Sequence, residues 1–287
     1  MWISDNWKDY ELIDATDGER LERWGDYTLV RPDPQVIWKG AAKSKLWKSA
    51  DASYKRSRSG GGAWKDSRVP ETWTIEYKNL KFLIKPMGFK HTGLFPEQAT
   101  NWDWFSDLIK NAGRPIKVLN LFAYTGGATV AAAAAGASVC HVDAAKGMVQ
   151  QAKENARLSG LENAPIRYIV DDCKKFVERE IRRGNKYDGI IMDPPSYGRG
   201  PTGEVWKIED SIDEFITLTE KVLSDKPLFF LINSYTTGLS PLSMKYIADI
   251  RIKPTRGGHS DAMEIALPVK SSGGLLPCGA SVRYEFD

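Results

Sequence analysis

The fold is decided by the stretch Val118-Leu-Asn-Leu-Phe-Ala-Tyr-Thr-Gly-Gly127, an apolar run that leads into a turn with two glycines. The apolar residues 118–122 predict a buried β-strand. The small residues 128–135 that follow have high helix propensity, and Gly136 is placed to end a helix there. A strand, a glycine turn and a close-packed helix, in this order, are typical of the start of a nucleotide-binding α/β domain.

Three more apolar runs follow, and each one ends on an acidic residue. Residues 138–142 precede Asp143, residues 166–170 precede Asp171 and Asp172, and residues 187–192 precede Asp193. The carboxyl ends of parallel strands form the edge at which open α/β sheets bind ligands. We therefore predict an α/β fold, a Rossmann-like doubly wound sheet of seven strands. Its other strands are predicted over residues 227–232, 263–268 and 281–286, and its helices over 96–110, 146–159, 173–183, 208–223 and 241–250.

Residues 1–90 predict a separate, small β module, and residues 91–287 the doubly wound domain. Short strands are expected over residues 27–30, 35–38, 72–77 and 80–84, where β-branched and aromatic residues cluster between turns. Residues 39–68 are expected to form a loop between them. This loop is rich in cations and is interleaved with Trp47, Tyr54 and Trp64.

The cationic loop has two possible interpretations: a solvated surface, or a contact for nucleic acid. Cations bind phosphates, and aromatic faces stack on bases, so the combination favours the nucleic-acid contact. The candidate residues for binding nucleic acid are Lys43, Lys45, Lys48, Lys55, Arg56 and Arg58.

Composition narrows the possible environment of the protein. The 287 residues carry a net charge of only +3, and no apolar run approaches the roughly 18 residues of a membrane span. The three cysteines and three histidines lack the spacing of a disulfide framework or a metal site. The polar N-terminus does not resemble a signal peptide. These features predict a cytoplasmic protein with neither a membrane nor a metal as partner.

The glycine turn distinguishes between two cofactor classes. Dinucleotide-binding domains need G-x-G-x-x-G, but here Gly126 and Gly127 are followed by Ala128 and no glycine occurs before Gly136. S-adenosylmethionine carries no phosphate, so it needs only a close approach of the backbone. Asp143 is placed to accept both ribose hydroxyls. Of the two acids after the next strand, Asp172 is favoured over Asp171 to accept the adenine amino group; the alternative for each acid is a helix N-cap.

Asp193-Pro-Pro-Ser-Tyr197 is the most specific motif of the chain. Its two prolines stiffen the backbone after a buried strand and lack N–H groups, which leaves carbonyls to accept hydrogen bonds from a substrate. Asp193 adds a carboxylate and Tyr197 an aromatic face for a flat substrate. We predict catalytic roles for Asp193, Pro194 and Tyr197, against the alternative of an ordinary turn after a strand.

These motifs together resemble class I S-adenosylmethionine-dependent methyltransferases. They are more closely similar to the family acting on large-subunit ribosomal RNA, which includes enzymes that form 5-methylcytosine and 7-methylguanine. The resemblance rests on Gly93-Leu-Phe-Pro-Glu-Gln98 with Asn101, on the glycine turn, on Asn155, and on the acids that follow the strands. It implies that the Gln98 segment folds over the cofactor and that the Asp-Pro-Pro segment faces the acceptor base. The cofactor residues it implies are Phe95, Gln98, Phe122, Tyr124, Thr125, Gly126, Asp143, Asp172 and Asp193.

The same resemblance bears on the atom that is methylated. Members that form 5-methylcytosine carry a cysteine after the fifth strand, where this chain has Tyr235. Methylation at carbon 5 needs a thiolate that adds to the ring, so a nitrogen acceptor is favoured. The predicted function is methylation of a base in ribosomal RNA. The alternatives are a methyltransferase for a protein or small molecule, and a non-catalytic RNA-binding protein on the same fold.

Overall fold

The computed structural model describes residues 1–40, 43–57, 61–65, 67–88, 90–199 and 205–287. The predicted phosphate contact Arg58 lies outside the described residues. The chain forms two compact units. The large unit comprises Met1–Trp2, Asn101–Ile265 and Gly279–Asp287, and the small unit comprises Ile3–Thr100 and Ala266–Cys278.

The secondary structure follows the chain in this order. The strands are β1 (Trp2–Ile3), β2 (Tyr10–Thr16), β3 (Glu19–Trp24), β4 (Tyr27–Pro32), β5 (Ala52–Arg56), β6 (Gly62–Lys65), β7 (Trp73–Tyr77), β8 (Leu80–Ile84), β9 (Lys117–Leu121), β10 (Ser138–Asp143), β11 (Ile166–Val170), β12 (Gly189–Met192), β13 (Tyr197–Arg199), β14 (Val205–Lys207), β15 (Phe229–Ser234), β16 (His259–Pro268) and β17 (Leu275–Glu285). The helices are α1 (Lys45–Ser49), α2 (Ala99–Asn111), α3 (Gly127–Ala134), α4 (Lys146–Leu158), α5 (Cys173–Arg183), α6 (Ile208–Glu220) and α7 (Pro241–Arg256), with a 3₁₀ turn over Pro96–Gln98.

The predicted doubly wound sheet is confirmed. Its described strands lie in the order β1-β16-β17-β15-β12-β9-β10-β11, so the sheet has eight strands rather than seven because the two-residue β1 joins its edge. The strands from β15 to β11 are parallel, and β17 is antiparallel to β15. Strand order reverses between β9 and β12, which opens the crevice where ligands bind in such folds.

Apolar side chains on both faces explain why the central strands are so hydrophobic in sequence. Residues of β9, β12 and β15 pack with one face against α5, α6 and α7, around Phe176, Phe215 and Met244. On β15, Phe229 stacks against Phe105 of α2 with ring centroids 5.8 Å apart. A parallel sheet covered on both faces needs continuous apolar runs, and these runs made the strands predictable.

Helix boundaries follow local signals closely. α5 begins after Asp172, whose carboxylate accepts a hydrogen bond from the Lys175 amide, and it ends at Gly184 with φ of 69°. Its predicted bounds, residues 173–183, are confirmed. α7 extends to Arg256, six residues beyond its predicted end at residue 250, and it contains Pro254.

The small unit contains a five-stranded sheet in the order β2-β3-β4-β5-β6 and a separate pair, β7-β8. Two predictions for this region were wrong. Residues 35–38 lie outside the strands, because Asp33 accepts a hydrogen bond from the Gln35 amide and turns the chain. The segment 39–68 is not a loop throughout, since it contains α1 and the antiparallel pair β5-β6.

Candidate cofactor and acceptor site

The turn after β9 has an unusual backbone conformation. Phe122, Tyr124 and Gly126 have φ values of 54°, 50° and 79°, in the left-handed region that only glycine adopts readily. Two non-glycine residues in this region carry a conformational cost of about 1–3 kcal/mol each, and such residues cluster at ligand sites. The surrounding structure must therefore hold the turn in this strained conformation, as is expected of a preformed binding site.

Buried neighbours hold this turn in place. The Phe122 amide donates to the Cys173 sulfur at 3.2 Å, and the Asn155 side chain donates to the Thr125 carbonyl at 2.8 Å. A Cβ on Gly126 would lie 2.8 Å from the Cβ of Ala152 on α4. Only glycine fits there, both for its conformation and for the approach of α4.

Asp143, at the end of β10, contacts the same turn. Its Oδ2 accepts a hydrogen bond from the Tyr124 amide and its Oδ1 one from the Ala145 amide, each at 2.8 Å. The carboxylate is only partly buried. Each oxygen has a second lone pair, so the group keeps capacity to accept two adjacent hydroxyls.

Asp171 and Asp172, after β11, are engaged differently. Asp171 forms an ion pair with Arg179, and its Oδ1 accepts a hydrogen bond from the Asp172 amide. Asp172 is the N-cap of α5, with the Lys175 amide 2.9 Å from its Oδ1. The helix-cap alternative is thus realised for Asp172, and its contact with adenine stays a prediction.

The Asp-Pro-Pro segment follows β12 across the crevice from this turn. The Asp193 amide donates to the Leu121 carbonyl of β9 at 3.3 Å, which fixes the two strand ends side by side. Pro194 is buried, and Tyr197 is exposed over 54% of its surface. Within the described ranges no donor reaches the Pro194 carbonyl. The segment therefore combines, at the sheet edge, a carbonyl that no described donor reaches and a tyrosine ring that is more than half exposed.

Strand pairing brings most of the predicted site together. Phe122, Tyr124, Thr125, Gly126, Asp143, Asp172 and Asp193 all follow the carboxyl ends of the adjacent strands β11, β10, β9 and β12. Phe95 and Gln98 belong to the small unit. There the 3₁₀ turn is fixed by Ser4 Oγ and Trp7 Nε1, which donate to the Pro96 carbonyl at 2.7 and 2.9 Å.

The described residues among the predicted phosphate contacts belong to the small unit. Some of them form ion pairs within the protein, and others have exposed side chains. Lys43 and Lys55 both pair with Glu19, at 2.7 and 3.0 Å. Burial acts to raise the pKa of Glu19, but hydrogen bonds from these two lysines lower it overall. Lys45, Lys48 and Arg56 have exposed side chains.

The three cysteines are buried and free of disulfides. Burial raises the pKa of Cys140 to about 11 and raises those of Cys173 and Cys278 as well. Thiolates are the nucleophilic form of cysteine, so the environment of each sulfur disfavours that role.

Sequence reasoning named Asn101 at the start of α2, but it did not single out Trp206 or the polar side chains that bond to Asn101. Trp206 Nε1 donates to the Pro195 carbonyl at 2.6 Å. Asn101 Nδ2 donates to Ser281 Oγ at 2.8 Å, Ser281 Oγ donates to Asn233 Oδ1 at 2.7 Å, and all three side chains are buried. Polar residues directly after the apolar run of β15 were the available signal for Asn233.

Comparison with known proteins is consistent with this geometry. The profile of the S-adenosylmethionine-dependent methyltransferase family matches residues 50–210, more than half of the chain. A crystal structure of a SAM-dependent methyltransferase from Agrobacterium tumefaciens is 39% identical, with a TM-score of 0.92, and the match covers 99% of this chain and 93% of that one. The tRNA m1G37 methyltransferase of M. jannaschii shares the fold, at 11% identity and a TM-score of 0.56, over 98% of this chain and 72% of that one.

A curated relative is the Ribosomal RNA large subunit methyltransferase K/L of Shewanella frigidimarina. It is 35% identical over 161 residues, which are 55% of this chain and 22% of the relative. The chain thus matches about a fifth of that protein's length.

A doubly wound sheet with a strained glycine turn and acids at successive strand ends is typical of enzymes that bind a nucleoside-containing cofactor at the carboxyl ends of the strands. The chain belongs to the S-adenosylmethionine-dependent methyltransferase family, and S-adenosylmethionine is its cofactor. The predicted enzyme class and cofactor are therefore confirmed. Among the described residues, no helix is long and apolar enough to span a membrane, and no cluster of side chains suits a metal ion.

Proposed function

We propose that this chain methylates a nitrogen of a base in ribosomal RNA. The single observation that carries the RNA substrate is the 35% identity, over 161 residues, to a relative named as a ribosomal RNA methyltransferase. Residues 91–287 would carry the transfer, and residues 1–90 would contribute cations that contact phosphates. A ribosomal substrate places the activity in the cytoplasm.

The residues of the site fit the cofactor. The partly buried carboxylate of Asp143 suits two vicinal ribose hydroxyls. The strained turn over residues 122–126 would let the backbone approach the cofactor closely, and S-adenosylmethionine needs no phosphate-binding loop because it carries no phosphate. Asp172 would accept from the adenine amino group, and Phe95 with Gln98 would cover the cofactor. When bound, S-adenosylmethionine supplies an electrophilic methyl group on a sulfonium.

The acceptor side is built by the Asp-Pro-Pro segment. The Pro194 carbonyl and the Asp193 carboxylate would accept hydrogen bonds from the target nitrogen, which aligns its lone pair and draws positive charge from it as the bond forms. Tyr197 would stack on the base. Such positioning, with reacting atoms about 3–3.5 Å apart, accounts for a large part of catalysis in bimolecular transfers.

The test is methyl transfer to RNA lacking this modification. Ribosomal RNA from cells without the protein is incubated with enzyme and labelled S-adenosylmethionine, and its nucleosides are analysed by mass spectrometry. We expect one methylated nucleoside with the methyl on nitrogen. Asp193→Asn should lower the rate strongly, whereas Asp225→Asn, the same change at an exposed position, should not. Transfer to protein extracts but not to RNA would refute the proposal.

The RNA surface has its own test. Replacing Lys45, Lys48 and Arg56 by alanine should flatten the salt dependence of RNA binding by about two units, since each phosphate contact on a single strand contributes about 0.7. The control replaces three exposed cations of the large unit, Lys110, Lys221 and Lys226. Equal slopes for the two triple variants would favour the solvated-surface interpretation.

A further inference from the structure

Trp206 fixes the segment that follows Asp193. It lies on β14, opposite Gly198 of β13 in the antiparallel pair. Its indole Nε1 donates to the Pro195 carbonyl at 2.6 Å, and the Ile208 amide donates to the Ser196 carbonyl at 3.1 Å. Two consecutive carbonyls of the acceptor segment are thus held by the chain that leads into α6.

The same side chain contacts the turn after β9. The rings of Trp206 and Phe122 lie 5.6 Å apart at an interplanar angle of 48°, and Trp206 meets Phe215 of α6 edge-on, also at 5.6 Å. Phe122 is 5.5 Å from Phe215. These separations lie in the range of favourable aromatic pairs. Trp206 therefore joins the strained cofactor turn to the acceptor segment.

The consequence concerns the orientation of one carbonyl. Prolines 194 and 195 allow little rotation about their N–Cα bonds. A hydrogen bond that fixes the Pro195 carbonyl therefore restricts the orientation of the preceding Pro194 carbonyl, which no donor reaches in the described part of the chain. A movement of Phe122 on cofactor binding would be transmitted through the indole to the same segment.

We propose that Trp206 is a positioning residue that aligns the Pro194 carbonyl with the acceptor nitrogen and couples this alignment to occupancy of the cofactor turn. The inference rests on the proposed function, since it assigns the acceptor side to the Asp-Pro-Pro segment. Simple packing would require only the ring of Trp206, whereas positioning requires its N–H group as well.

Trp206→Phe separates packing from positioning, because it keeps an aromatic ring and removes the donor. We expect an unchanged dissociation constant for S-adenosylhomocysteine, a similar unfolding midpoint, and a three- to tenfold lower kcat, as loss of one neutral hydrogen bond implies. The matched control is Trp73→Phe in the small unit, where the indole N–H also donates to a backbone carbonyl, that of Trp24, at 3.0 Å. A kcat for Trp206→Phe equal to that of the control would overturn positioning.

Coupling is tested without turnover. In protein labelled with 5-fluorotryptophan, the Trp206 resonance is identified by its loss in Trp206→Phe, and that of Trp73 by its loss in Trp73→Phe. Adding S-adenosylhomocysteine should shift the Trp206 signal and leave the Trp73 signal in place. A stationary Trp206 signal at saturating ligand would overturn the coupling. If the native protein fails to methylate any RNA, the proposed function fails, and the fluorine experiment still decides the coupling.

Discussion

Gly126→Ala tests the turn on which the cofactor site depends. Gly126 combines a φ of 79° with a position where a new Cβ would lie 2.8 Å from the Cβ of Ala152 and 3.3 Å from its Cα. The left-handed conformation costs an alanine about 1–2 kcal/mol, and overpacking costs about 1–3 kcal/mol. Together they predict a loss of about 2–5 kcal/mol in the free energy of unfolding.

Two other glycines separate these contributions. Gly160 has a φ of 70°, but no atom lies within 4 Å of the position that a Cβ would take. The free energy of unfolding of Gly160→Ala should therefore fall only by the cost of the left-handed conformation. Gly127 lies in α3, outside the left-handed region, yet its Cβ would be 2.7 Å from Cζ2 of Trp102. Gly127→Ala should therefore lose stability through packing alone, offset by up to about 1 kcal/mol because alanine favours a helix more than glycine does. Gly126→Ala carries both the conformational and the packing cost, so it should be less stable than either of the other two variants.

The assay pairs urea unfolding with calorimetry of S-adenosylhomocysteine binding. Gly126→Ala should be the least stable of the three and should bind the cofactor product more weakly, whereas Gly160→Ala should bind it normally. Equal stabilities for Gly126→Ala and Gly160→Ala would refute the close approach of Ala152. Normal affinity in a folded Gly126→Ala protein would remove the turn from the site.

Three more predictions follow from buried or charged groups. Asp143→Asn should weaken S-adenosylhomocysteine binding at least tenfold, since hydrogen bonds to a charged group contribute about 1.5–3 kcal/mol each; unchanged calorimetric affinity would remove Asp143 from the site. Burial lowers the pKa of His141 to about 4, below its unfolded value of 6.5, so the unfolded state binds the proton first as pH falls. The free energy of unfolding should therefore decline between about pH 6.5 and 4, by about 3 kcal/mol for this residue, and His141→Gln should show a shallower decline in urea titrations; equal declines would contradict this. Cys173→Ser, which keeps an acceptor for the Phe122 amide, should retain methyl transfer, and a rate loss of several orders of magnitude together with a covalent adduct on 5-fluorocytidine RNA would show a carbon-5 enzyme instead.

The small unit shows where the sequence misleads. β3 reads Glu-Arg-Leu-Glu-Arg-Trp, a pattern typical of an exposed segment, yet Arg20 and Glu22 are buried. Arg31 donates to Glu22 from Nε at 2.6 Å and from Nη2 at 2.8 Å. Burial acts to raise the pKa of Glu22, but Arg20 and Arg31 hold it at about 2. Charges that are buried because they pair across strands cannot be distinguished from solvated ones by periodicity, so β2 and β3 were not predicted.

The position of each side chain relative to the motifs explains which site residues the sequence revealed. Residues that directly follow a strand, such as Asp143 and Asp193, were found because parallel strands bring their carboxyl ends to one edge. Trp206 lies eleven positions beyond the carbonyl it binds, on a three-residue strand without a strong pattern. Asn155 was named through the family resemblance, but its contact with the Thr125 carbonyl, made from the last turn of α4 thirty residues away, was not predicted. Side chains that form the site lie next to its motifs in the chain, whereas side chains that hold those motifs in place come from the elements packed behind them, and only the folded structure brings the two sets together.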